Sequence, residues 1–134
     1  MATLRSADPD REAFERLADA ALKRIPANLR EKLADISLQV VDFATPEQLA
    51  SVGLEDKREL SGLYEGVPLP DQSMWDPGRL PPRIWLFRQP LLAEWRETGV
   101  ALEDLVTHVV IHEAGHHFGF SDEDMHTLEE SVSD

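Results

Sequence analysis

The chain has no cysteine, one tyrosine, no uninterrupted run of about 18 apolar residues, and no Lys or Arg after Arg96. Without cysteine there is neither a disulfide framework nor a thiolate metal site, so a bound metal must rest on His, Asp or Glu. The opening residues lack the apolar stretch of a signal peptide, and no segment reads as a membrane span. The expectation is a soluble, cytoplasmic protein. Basic residues are scarce, 13 against 26 acidic ones for a net charge of -13. That balance excludes nucleic acid as the main partner, because such binding draws its affinity from Lys and Arg on phosphates, and it disfavours anionic membranes for the same reason.

What is present is ordinary globular material: 134 residues, 42% apolar and 29% charged. This suits one domain over residues 1–134, a size that buries about two-thirds of its unfolded surface. The charge is unevenly placed. Residues 97–134 hold ten acidic and no basic residues, net -10, whereas residues 1–96 hold 16 acidic and 13 basic, net -3. One end or face should therefore be strongly negative.

Periodicity and turn signals predict helices interspersed with short strands. Phe14, Leu17, Ala18, Ala21, Leu22 and Ile25 recur on one helix face, with Asp8 and Pro9 as cap and first helical residue and Pro26 as the stop. A short helix over residues 27–33, a strand over 36–43 and a helix opened by Thr45-Pro46-Glu47-Gln48 follow. Residues 62–67 read as a second strand. Five prolines and a glycine make 68–82 a surface loop. Residues 83–88 read as a third strand, placed at a sheet edge because Pro82 and Pro90 bracket it. A helix near 91–97, a break at Thr98-Gly99 and a long helix over 102–118 complete the pattern.

That long helix ends in Val109-Val110-Ile111-His112-Glu113-Ala114-Gly115-His116-His117-Phe118-Gly119-Phe120-Ser121-Asp122. His112 and His116 are four apart, so their imidazoles leave one helix face a turn apart and can converge on one ion. Glu113 stands beside the ion's open position, where a general base for water belongs. Gly119 falls where the helix must stop, and the reversal it permits can return Asp122 as a third ligand. Asp124, His126 and Glu129 are the alternatives for that role, because Ser121-x-x-Asp124 also reads as a capping box that would place Asp122 in a final helix. His108 lies about 12 Å from His116 along the axis, too far to share an ion, and should pack or support. His117 points about 100° away and should be structural or exposed.

The run His112 to Asp122, His-Glu-x-x-His-x-x-Gly-x-x-Asp, resembles the zincin metallopeptidases, and is most similar to their short bacterial minimal zincin-like family. Leu63-Tyr64-Glu65-Gly66-Val67-Pro68-Leu69 and Ile84-Trp85-Leu86-Phe87-Arg88-Gln89-Pro90-Leu91 resemble that family's segments in the same order. The resemblance implies a zincin-like α+β platform, with a small mixed sheet packed against helices that include the active-site helix. It also implies Zn²⁺ held by His112, His116 and Asp122. Only 12 residues follow Asp122 in this sequence, so the expectation is a platform without a C-terminal subdomain, and Met125 lies too close in sequence to be assigned the methionine turn of related clans.

The expected activity is zinc-dependent hydrolysis of peptide bonds, with a metal-activated water and Glu113 as general base. Strand 83–88 would hold an extended peptide or protein substrate by strand addition, and the negative field would favour basic residues near the scissile bond. Tyr64 is either a half-buried core residue or an oxyanion donor. The competing class is a non-catalytic metal-binding or interaction module that keeps the site for stability. A metal-dependent nuclease has no need of Glu113, and the local charge repels a phosphate backbone.

Overall fold

The computed structural model describes residues 8–72 and 81–132. Its first helix, α1 (Arg11–Lys23), is capped by Asp10, whose Oδ1 accepts the Ala13 N–H at 2.9 Å. The cap is thus two residues later than Asp8. Asp8 instead pairs with Arg96, and the Pro9 carbonyl accepts Arg88 Nε at 2.7 Å, so this segment anchors the chain's start to a distant helix. Phe14, Ala18 and Ala21 form the buried face of α1. A short helix, α2 (Ala27–Arg30), runs into a single 3₁₀ turn and then strand β1 (Ser37–Val41). Helix α3 (Pro46–Ser51) carries the complete capping box expected at its start: Thr45 accepts from the Gln48 N–H, and the Gln48 side chain accepts from the Thr45 N–H.

Strands β2 (Gly62–Glu65) and β3 (Arg83–Phe87) complete a three-stranded mixed sheet of order β1-β3-β2, in which β3 is parallel to β1 and antiparallel to β2. The expectation that β3 lies at an edge is therefore wrong: it is the central strand. Its prolines lie outside the ladder. The Pro82 carbonyl accepts the Ser37 N–H, and Pro90 falls in the first turn of α4 (Arg88–Thr98), which begins directly after the strand and three residues earlier than expected. The unbroken apolar run Ile84-Trp85-Leu86-Phe87 suits a strand covered on both faces, with Ile84, Leu86 and Phe87 fully buried. Of the proline-rich segment, residues 73–80 lie outside the described residues; Leu69–Asp71 form a 3₁₀ turn.

Helix α5 (Leu102–Phe118) is the hub, packing on α1, α4, β2, β3 and α6 (Asp122–Val132). It is buried nearly all round, as a helix clasped by other elements on most sides must be. Two apolar clusters flank it. One joins Phe14, Val40, Leu86, Leu91, Val106 and Val110, and the other joins Ile25, Ile84, Ile111, Ala114, Phe118 and Leu128. Among the described residues, no helix is long and apolar enough to cross a membrane.

Candidate metal and catalytic site

Helical spacing does what the sequence requires of it at 112–116. His112, Glu113 and His116 each offer a ligand atom, and all three lie within 4.8 Å of one another. The two imidazoles meet edge to face with centroids 4.9 Å apart. Two imidazole nitrogens this close, with a carboxylate beside them, suit zinc and do not suit magnesium or calcium, which want oxygen ligands. The donor chemistry therefore fits the metal that the resemblance implies.

Glu113 is 9% exposed. Burial pushes its carboxyl up to about 7, against the opposing pull of His112 and of the Tyr64 backbone N–H, which donates to the carboxylate. Burial also lowers the pKa of His116, aided by neighbouring His112 and opposed by Asp122. A carboxyl titrating near neutrality can take up and release a proton at working pH.

The Tyr64 contact fixes how strand and helix meet. The Phe87 N–H donates to the Ser61 carbonyl at 2.9 Å, so Ser61, Leu63 and Glu65 turn their backbone groups to β3, while Gly62 and Tyr64 turn theirs to the open edge. That edge faces α5. Gly62 allows the approach: a Cβ there would lie 2.3 Å from Val109 Cγ1. The edge strand beside the candidate site is consequently β2, and the substrate-holding role expected of residues 83–88 fails because both sides of β3 are already paired. The signal for β2 was available in Gly62, a glycine opening a strand next to a helix.

Gly119 ends α5 at φ 75°, with the Phe120 N–H on the Gly115 carbonyl and the Gly119 N–H on the His116 carbonyl, a Schellman reversal. Ser121 then caps α6 through the Asp124 N–H, which puts Asp122 at the first position of α6, exposed to solvent. Its charge is felt at His116, yet it is not among the three residues whose ligand atoms converge. Asp124 and His126 are exposed on α6, and His126 pairs with Glu130. Glu129 reaches back instead, its Oε1 3.3 Å from His112 Nδ1 and 3.7 Å from His108 Nδ1.

The remaining aromatic groups sort by side. His117 is 2% exposed. Its Nε2 faces the Lys32 carbonyl at 3.2 Å, which can only accept, so Nδ1 is the acceptor and takes the Tyr64 O–H at 2.6 Å. The Tyr64 hydroxyl is thereby committed to the buried side of α5, and the core role holds over the oxyanion role. Met125, 4% exposed, lies against Gly115, where a Cβ would come within 3.1 Å of its Cε and Cγ. A methionine does underlie the site helix, a contact invisible from the short sequence separation.

Beside His112 and Glu113 opens a cavity of about 340 Å³ with apolar walls from Leu91, Leu105 and Val109 and Glu94 in its lining. A search of curated proteins returns no match to the chain. The family model for zincin-like metallopeptidases matches residues 33–132, a span that begins before β1, takes in the whole sheet and α5, and runs to the end of α6. With three-quarters of its length matched, and the paired histidines and buried glutamate of the motif converging on one helix, the chain belongs to the zincin-like metallopeptidase family.

Proposed function

We propose that this chain is a zinc-dependent peptidase that uses His112, His116 and Asp122 to hold the metal and Glu113 as its general base. Zinc, when bound, lowers the pKa of a water toward about 7 and polarises the scissile carbonyl. Asp122 completes the set from the first turn of α6 by a side-chain movement toward His116, whose titration already registers its charge. Glu113, buried and raised to about 7, accepts the proton of the attacking water and returns it to the departing amine. The single observation that carries this reading is that carboxyl, held between two imidazoles and the backbone of an open strand edge.

The substrate is an extended peptide laid along β2, where the Gly62 and Tyr64 backbone groups face away from β3. For its N–H to serve a peptide, Tyr64 releases the Glu113 carboxylate, which leaves that carboxylate to the water. The cavity beside the site takes a long basic side chain, with methylenes along Leu91, Leu105 and Val109 and the cation toward Glu94. The net charge of -10 on residues 97–134 adds a long-range bias in the same direction.

The test is Glu113→Gln beside the unaltered protein, each loaded with zinc and offered a peptide library. The expected result is retained stoichiometric zinc with turnover reduced by at least a hundredfold, on the order of the lower limit for general acid–base catalysis. Zinc binding without cleavage by either protein would sink the peptidase reading and leave a metal-stabilised interaction module.

A further inference from the structure

We propose that Glu129 is a positioning residue that fixes the ring of His112 and presents its Nε2 to the metal, an inference that rests on the metal-binding reading above. The packing of α6 on α5 sets this up. Met125 sits against Gly115, and Leu128 joins Ile111 and Ala114 in the core. Those two contacts fix the rotation of α6, and Glu129, one turn beyond Met125 on the same face, arrives over His112, one turn before Gly115. The two helices thus pass each other in opposite directions, and the carboxylate ends 3.3 Å from Nδ1.

The chemistry leaves one assignment. A carboxylate only accepts, so Nδ1 carries the hydrogen and the free lone pair of His112 is on Nε2. Glu129 does not belong to the group whose ligand atoms lie within 4.8 Å of one another, so it stands behind the ring and not beside the ion. Its side chain is 23% exposed against 43% for His112, which partly shelters the contact from water. An oriented imidazole with a fixed tautomer binds metal better than a free rotor, and loss of such a partner weakens affinity by about 10–100-fold. His108, with its Nδ1 3.7 Å from the same Oε1 and a side chain 65% exposed, shares the carboxylate from the solvent side.

The experiment measures zinc affinity by chelator competition for the unaltered protein and for Glu129→Ala, Glu129→Gln and Glu129→Asp. It is accompanied by ¹⁵N chemical shifts of the His112 ring in the metal-free proteins. Expected are a weakening of about 10–100-fold in Glu129→Ala, a smaller loss in Glu129→Gln, whose amide oxygen still accepts from Nδ1, and His112 shifts that leave the Nδ1–H tautomer only in Glu129→Ala. Unfolding midpoints of the metal-free variants identify any loss that is merely structural. If the unaltered protein binds zinc and Glu129→Ala binds it equally well, the positioning role is wrong and the peptidase reading stands. If Glu129→Gln loses zinc as completely as His112→Ala, Glu129 is a direct ligand and the inference is also overturned. An unaltered protein that takes up no zinc overturns both.

Discussion

Replacing Glu113 by Gln should stabilise the metal-free protein at neutral and alkaline pH, even as it removes activity. The folded chain holds this carboxyl at about 7 and the ordinary value is 4.5. At about 1.36 kcal/mol per pH unit, the difference amounts to roughly 3 kcal/mol. The sign follows from proton binding. Between pH 4.5 and 7 the folded state keeps a proton that the unfolded state has released, so stability contributed below 4.5 is lost as pH rises through 7. Glutamine stays neutral throughout and bears no such loss. His116 and His117, both lowered by burial, act in the opposite sense, costing stability as pH falls below about 6.5. They are present in both proteins and cancel in the difference. Urea unfolding in the presence of a chelator, at steps from pH 4.5 to 8, should therefore show two curves that nearly coincide at the acid end and diverge to roughly 3 kcal/mol in favour of Glu113→Gln. That is a large part of the ~5–15 kcal/mol typical of a folded domain. Parallel curves across the range would refute the claim that burial, and not catalytic context alone, sets the carboxyl's pKa.

Three further outcomes test the surroundings of the site. Gly62→Ala drives a Cβ to 2.3 Å from Val109 Cγ1 and should cost about 1–3 kcal/mol in thermal unfolding, the usual price of overpacking, with zinc affinity less affected than peptide turnover. Tyr64→Phe leaves the buried Nδ1 of His117 without its donor and should destabilise by about 1–3 kcal/mol; a large fall in turnover at unchanged stability would instead revive the hydroxyl as an oxyanion donor. Glu94→Lys should reverse a preference for Lys or Arg peptides, and in the unaltered protein that preference should shrink as salt rises through the range where the screening length falls below about 10 Å. Indifference to both would show that the cavity beside His112 does not read charge.

Most of the site was legible because it lies within one helix. His112, Glu113 and His116 need only the 3.6-residue period to converge, and Gly119 needs only its place at the helix end. The pairing of strands was not legible in the same way. Prolines around residues 83–88 suggested an edge, but Pro82 and Pro90 sit just outside the ladder, and the alternation that marks a half-covered strand is absent from Ile84-Trp85-Leu86-Phe87. Read for its lack of alternation, the same segment describes the central strand it is. Asp8 and Asp10 both precede α1 with a cap's chemistry, and which one caps depends on the Arg96 and Arg88 contacts, 88 and 79 residues away. The position of Asp122 is set locally by the Gly119 reversal and the Ser121 cap, whereas that of Glu129 depends on how Met125 and Leu128 pack α6 onto α5, which nothing near Glu129 in sequence reveals.

The segment after Gly62 shows why this short sheet can hold a site in register. Gly62 lies against Val109, the Tyr64 N–H reaches Glu113, the Tyr64 hydroxyl reaches His117, and Pro70 presses on Gly119, where a Cβ would come within 2.6 Å of its Cγ. Residues 62–70 thus follow α5 from its middle to its end in the same direction. Gly119 is required twice over: its φ of 75° favours glycine, and Pro70 occupies the space of any side chain. The reversal at the end of α5 is therefore set in part by the segment that extends from β2. A substitution at Gly119 should shift the approach of Asp122 and the course of residues 62–70 together, so that metal affinity and peptide KM worsen in concert. A variant such as Gly119→Ala that weakened zinc binding while leaving KM untouched would show that the two ends of α5 are independent.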